Sequence, residues 1–233
     1  MIRDNALLNL TEYLKQRFNN VVLNYDETVI AVIRPLSFIL LVADFMQNSF
    51  TPIYVTKIYE PIFNLPAEIG IAIPLSAEVC TTAIFAWLGG SLKTKLGLKK
   101  LLFSGATISL LGFLICGILP NVIVFTIGKA VIGIGMGFVH VALLTFISEA
   151  DNEKILSDGY AYYFASYFAA INIGCVIGGS LANFIGQRQV YFVAAATILG
   201  GIALGLYLLK NVALNISPKV SKTEQSKLVL VNF

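Results

Sequence analysis

Long apolar runs broken by short polar punctuation make up most of this chain, and the lengths of the runs predict its architecture. Six runs each approach the ~20 residues that carry a helix across ~30 Å of hydrocarbon. They fall at 35–57, 67–89, 101–119, 121–147, 159–185 and 190–209. The breaks between them carry turn chemistry. Pro61 and Pro66 follow the first run, a glycine- and lysine-rich stretch at 90–100 the second, and Pro120-Asn121 the third. The polar run from Glu149 to Lys154 follows the fourth, and Gly186-Gln187-Arg188 the fifth. Ahead of the first run the pattern is different. Leu7, Leu10, Leu14, Phe18 and Val21 recur at three- and four-residue spacing, with Glu12, Lys15 and Arg17 opposite. That is an amphipathic helix, read either as an interfacial element or as the tail of a connecting segment. The division expected is a cytoplasmic leader or linker at 1–33, a six-span bundle at 34–210 and a polar cytoplasmic tail at 211–233.

Composition narrows the class. The 233 residues are 57% hydrophobic and 12% charged, with mean hydropathy +0.81. A soluble domain carries about 25% charged residues, so the expected fold is an all-α membrane protein, a bundle of six transmembrane helices in lipid. The net charge of +3 is spread over loops, which gives no nucleic-acid surface. Cys80, Cys116 and Cys175 lie within apolar runs, without disulfide or metal spacing, and no cofactor motif is present. The first 30 residues hold no apolar signal-peptide core.

Charge sets the expected orientation. With both termini in the cytoplasm, Arg3, Lys15, Arg17, Arg34, Lys93, Lys95, Lys99, Lys100, Lys154, Lys210, Lys219, Lys222 and Lys227 lie inside. Lys57 and Arg188 alone lie outside, a strong positive-inside bias for a multi-pass protein of the plasma or inner membrane. Small residues at four-residue spacing mark close helix contacts: Gly133 and Gly137, Ala170, Gly174 and Gly178, Gly201 and Gly205.

Four ionisable residues fall within predicted spans: Asp44, Glu78, Lys129 and His140. Each costs about 2.5–3.5 kcal/mol near the bilayer centre unless it faces a cavity or a partner. At ~1.5 Å per residue, Asp44 lies roughly 14 Å from the inner edge of its span, Glu78 roughly 16 Å and Lys129 roughly 12 Å from the outer edges of theirs. All three therefore share one level near the midplane. Ser37, Asp44, Gln47, Asn48 and Thr51 line one side of the first span. Glu78, Thr81 and Thr82 do so in the second, and Lys129, Gly133, Met136 and His140 in the fourth. Asn172 lies deep in the fifth, below the aromatic run that includes Tyr163 and Tyr167. Pro52 and Pro74 are placed to kink spans one and two. Two readings of the charges stand side by side: Asp44 or Glu78 as a proton-coupling carboxylate, or a static Lys129–carboxylate pair. His140 reads as a structural hydrogen bonder.

Three motifs carry a resemblance. Gly90, Leu92, Gly97, Lys99 and Lys100 fit a loop signature G-x-L-a-D-r-x-G-r-k, with Thr94 in place of its aspartate and Leu98 where the first basic residue is usual. Lys129, Gly133 and Gly135 follow a pattern R-x-x-x-G-x-G, with lysine for arginine. Gly174, Gly178 and Gly179 fit G-x-x-x-G-P-x-x-G-G, where Ala170 and Cys175 replace glycine and proline. In this order the motifs resemble the major facilitator superfamily over about residues 34–210. The resemblance implies a solute transporter working by alternating access around a midplane site, with 90–100 as a gating loop. Family members have two six-span halves and this chain has one. It therefore reads as a C-terminal half or fragment of a longer chain, or as a half-size protein that dimerises; either needs a second half. The competing function is a non-transporting sensory or scaffolding bundle derived from such a half. An intramembrane enzyme is disfavoured, since no glycine-flanked nucleophile pairs with a histidine and no His-Glu metal spacing occurs.

Overall fold

A computed structural model describes residues 25–59, 67–118, 120–150 and 152–209, and these are helices joined by short turns. The amphipathic leader at 6–23, the turn holding Pro61 and Pro66, and the tail from residue 210 lie outside the described residues. The helices are α1 (Tyr25–Phe45), α2 (Thr51–Ile58), α3 (Ala67–Leu96), α4 (Leu98–Ile118), α5 (Val122–Ser148), α6 (Glu153–Ile185) and α7 (Gln187–Leu209). Among the described residues, α3 to α7 are each long and apolar enough to cross a membrane.

The ends of these helices follow from local chemistry. Asn121 caps α5, its Oδ1 accepting from the backbone N–H of Ile123 at 2.9 Å and of Val124 at 3.3 Å. Asn152 caps α6 by accepting from Lys154 N–H at 2.9 Å. Such caps satisfy amide groups that the first turn leaves open. The cap at Asn152 starts α6 six residues ahead of the expected 159.

Two expectations are corrected. The first span was expected as one helix over 35–57, but the helix stops at Phe45 and restarts at Thr51. Between them the chain keeps a loose coil, with Asn48 N–H donating to Phe45 O at 3.2 Å and Thr51 N–H to Gln47 O at 3.0 Å. Asn48 and Ser49 favour such turns, and Pro52 sits in the first turn of α2, where its missing N–H is harmless. The second correction concerns the basic stretch at 90–100, expected as a loop. α3 runs through Gly90 and the lysines to Leu96, and the chain reverses at Gly97 alone. Gly97 has φ +79°, a left-handed conformation open to glycine at little cost.

The helices form two interlocked layers. α5 lies between α3 and α4; α1 lies between α6 and α7; α4 and α7 join the layers. Exchanging the first three spans (α1 with α2, α3, α4) for the last three (α5, α6, α7) maps this set of main contacts onto itself. α3 on α5 becomes α6 on α1, α4 on α5 becomes α7 on α1, and α4 on α7 maps onto itself. The main contacts of the first three spans are thus repeated by the last three. The hydrogen bonds repeat the exchange. Lys99, at the start of α4, donates to Leu209 O at the end of α7 at 2.6 Å. Arg188, at the start of α7, donates through Nε to Gly117 O at the end of α4 at 2.6 Å and through Nη2 to Ile118 O. Each cation meets the negative end of the partner's dipole.

Burial is uneven. In the most apolar window of α5, 67% of residues are buried, against 11% in α3 and 17% in α6. Those two helices, mates under the exchange, carry the open faces of the bundle. Trp87, Phe168 and Phe184 lie on them, exposed by 78%, 62% and 86%.

Candidate functional site

Close helix approach builds the site. A methyl group at Gly133 would overlap Thr81 Oγ1 and the Glu78 carbonyl, and one at Gly137 would lie 2.7 Å from Thr82 O. α3 and α5 therefore meet backbone to backbone, which brings Glu78 of α3 to Lys129 of α5. Gly135 points the other way in α5, where a methyl would overlap Ser109 Oγ and Gly105 O of α4. On the second layer, Gly178 faces Met46 O at the start of the α1–α2 break, Gly174 lies above Phe45 and Val42, and Gly179 faces Ser49.

The charged residues meet where these contacts converge. Lys129 is fully buried, and its Nζ lies 2.6 Å from Glu78 Oε2, whose side chain is 14% exposed. Gln47, also fully buried, donates from Nε2 to Glu78 Oε1 at 2.7 Å. Both carboxylate oxygens are thus occupied, one by an ammonium and one by an amide. Asp44 lies one turn before Gln47, near the end of α1. Two polar atoms on this stretch remain open. Asp44 Oδ1 and Gln47 Oε1 are buried and have no hydrogen-bond partner among the described residues. The Gln47 amide cannot be turned to relieve this, because its oxygen would then face the Glu78 carboxylate.

The other expected residues separate. Asn48 is exposed beside the break. Asn172 is exposed on α6 and donates to Phe168 O of its own helix at 2.8 Å, away from the cluster's hydrogen bonds. Thr81 Oγ1 reaches Ala130 O of α5 at 3.0 Å and so joins two helices, while Thr82 Oγ1 donates back to Glu78 O of its own helix at 2.8 Å. Ser37 Oγ donates to Ile33 O within α1. His140 pairs through Nδ1 with Tyr163 Oη at 2.6 Å. Of the residues expected to form a gating loop, Gly90 has open space around it, Leu92 packs on the core, and Lys100 is exposed. Thr94 donates to Ser91 O at 2.9 Å.

One contributor was not foreseen. Tyr191 of α7 is buried, with its hydroxyl 2.9 Å from Thr51 Oγ1; Thr51 in turn donates to Gln47 O at 2.7 Å. The backbone of Gln47 is therefore held from α7 while its side chain is held from α3. A tyrosine in an apolar run gives one usable signal: its hydroxyl needs a partner when buried. Among the described residues no group of three or more His, Cys, Asp or Glu converges as a metal site. An apolar crevice of about 10 Å³, beside Leu36, Lys99, Phe146 and Leu209, lies at the lysine-bearing end and is no larger than a water.

A bundle of apolar helices that meet through small residues and hold an ionic cluster between them is a multi-pass integral membrane protein. Residues 36–231 match the profile of the Major Facilitator Superfamily, and the chain belongs to that superfamily. It is similar to the inner membrane transport protein YajR of Escherichia coli (strain K12), 25% identical over 145 residues, which are 62% of this chain and 31% of that protein. Among solved structures, its fold resembles a peptide transporter POT bound to alafosfalin, with TM-score 0.69 and 14% identity over 87% of this chain and 44% of the other. It also resembles the POT family transporter PepTSo, with TM-score 0.64 and 15% identity over 78% of this chain and 37% of the other. The chain thus spans about a third of the curated relative and less than half of these structures.

Proposed function

We propose that the chain is one half of a secondary transporter that moves a small solute across a plasma or inner membrane by alternating access. In this reading a second six-span half, in a longer chain or as a second copy, completes the site. The observation that carries the proposal is the ionic cluster at the α1–α2 break. Glu78 is bound at once by Lys129 and by Gln47, a residue whose own backbone lies in the break. A change of charge on Glu78 alters what Gln47 is bound to, and so acts directly on the place where the first span can bend. Discontinuous helices around midplane charges are a recurrent way to build such sites. The membership of a transporter superfamily and the likeness to YajR support the same conclusion.

The role assigned to the two acids is proton coupling. The test is solute-driven proton movement into proteoliposomes, read by an internal pH dye, with small peptides as the first solutes because peptide transporters share the fold. The wild-type chain, paired with its second half, is expected to move protons with solute. Asp44→Asn and Glu78→Gln are expected to abolish that movement. Normal movement in both variants would remove the coupling role.

A further inference from the structure

The short helix α2 is held on one face only. Thr51, Tyr54 and Val55 are buried, while Pro52, Ile53, Thr56 and Lys57 are exposed. It joins α1 through the break, where Asn48 N–H donates to Phe45 O at 3.2 Å and Phe50 N–H to Gln47 O at 3.3 Å. Bonds of that spacing and length leave the turn loose. The near side of the break is clamped instead. A methyl at Gly178 would overlap Met46 O, and one at Gly174 would lie 3.0 Å from Phe45 Cβ. Movement of α2 therefore has a fixed pivot at Met46 and a pliable segment just beyond it. Past the pivot, rings fill the contact with α5 and α7. Tyr191 packs edge-on to Phe50 at 5.6 Å and to Phe125 at 5.5 Å between centroids, and Tyr54 packs on Phe125 at 5.3 Å. Within these rings Tyr191 Oη lies 2.9 Å from Thr51 Oγ1. Thr51 commits its hydroxyl proton to Gln47 O at 2.7 Å, so Tyr191 is the donor of that second bond. The same closure leaves Tyr54 Oη buried with no hydrogen-bond partner among the described residues. A buried tyrosine hydroxyl left open is costly. The rings thus draw α2 in, while the Tyr54 hydroxyl favours its release to water. At the lysine-bearing end no short segment intervenes: α1, α4, α5 and α7 meet there as unbroken helices around Leu36, Leu102, Phe146 and Leu209.

We propose that Tyr191 is a positioning residue: through Thr51 it latches α2 as a lid on the end of the bundle opposite the lysines, and the lid pivots at residues 46–50. Gln47 ties this latch to the charged pair, since its carbonyl accepts from Thr51 and its Nε2 donates to Glu78. That the lid shuts over a solute rests on the transporter reading; the latch itself does not.

The test is hydrogen exchange over residues 53–58, read by mass spectrometry on the full chain in lipid nanodiscs. Three variants act on the latch with little change in volume. Tyr191→Phe and Thr51→Val remove the bond between the two side chains, and Thr51→Ser keeps it. Tyr191→Phe is expected to speed exchange in α2 by about fivefold, the worth of one hydrogen bond. Thr51→Val also loses the bond to Gln47 O and should be at least as fast, with the double variant no faster than Thr51→Val alone. Thr51→Ser should match the wild type, and residues 25–45 and α5 should be unchanged in all of them. Wild-type exchange in α2 of Tyr191→Phe overturns the proposal. So does an equal rise across α1 and α5, which would make the hydroxyl a prop of the whole bundle. So does a double variant in which the two accelerations multiply. Solute flux into proteoliposomes, with the second half present, separates the lid from the transport it serves. Latch-dependent exchange in a chain that moves no solute would leave the lid and sink the transporter reading. Flux through a chain whose α2 ignores Tyr191→Phe and Thr51→Val would do the reverse.

Discussion

Replacing Lys129 with methionine isolates the ion pair at the centre of the bundle. Methionine keeps the length of the side chain and removes its charge. At 2.6 Å the bare attraction to Glu78 is about 6 kcal/mol at an effective dielectric of ~20. Desolvation of both groups offsets much of that. The cost of breaking the pair is set by the carboxylate left behind, about 3–5 kcal/mol for a buried one. Glu78 retains 14% exposure and the Gln47 hydrogen bond, and its carboxyl can take up a proton, so the low end of about 3 kcal/mol is expected. Adding Glu78→Gln removes the orphaned charge and should recover about 2 kcal/mol of the loss, a coupling within the range for residues in contact. The assay is unfolding by SDS in mixed micelles, followed by near-UV ellipticity, on the wild type, both single variants and the double. A Lys129→Met loss within ~0.5 kcal/mol of zero, with the two single changes additive, would refute the reasoning. It would mean that the pair does not form, and the site built on it would go with it.

Three further predictions use the same assay. Gly133→Ala should cost about 1–3 kcal/mol, because α3 and α5 have no room for a methyl beside Thr81 and Glu78; a neutral result would mean the helices lie further apart. Tyr191→Phe should cost about 1 kcal/mol through loss of the bond to Thr51, and should raise hydrogen exchange at residues 46–51 without raising it in α5. Arg188→Met should cost about 1–2 kcal/mol by opening the α4 carbonyls at Gly117 and Ile118, and Lys99→Met a similar amount at Leu209; no effect in either would make the caps incidental.

The sequence exposed much of this through two physical regularities. Apolar run length placed α3 to α7 within a few residues at most ends, because hydrocarbon thickness is a fixed ruler. The expense of buried charge singled out Glu78 and Lys129, which the structure joins in an ion pair. What it could not show is which partner each one takes. That depends on helix order in space, which puts α5 against α3 and leaves Asn172 pointing away on α6. The break at 46–50 was blurred for a related reason. Pro52 reads as a kink in a continuous run, whereas Thr51, Tyr191 and Gln47 close a network that makes a full interruption affordable. The stretch at 90–100 misled because lysines and glycines are shared by loops and by exposed helix ends. Only Gly97, with its positive φ, behaves as the turn.

The interchange of the two three-helix units has an energetic meaning. Because the main contacts of one unit have counterparts in the other, two shapes of the bundle that trade roles between the units would keep the same helix neighbours. The Gln47–Glu78–Lys129 network joins α1, α3 and α5 through an ion pair, whereas α6 meets α5 through the His140–Tyr163 hydrogen bond. In a scaffold whose helix neighbours are otherwise repeated, that charged trio is the weight on one side of the scale.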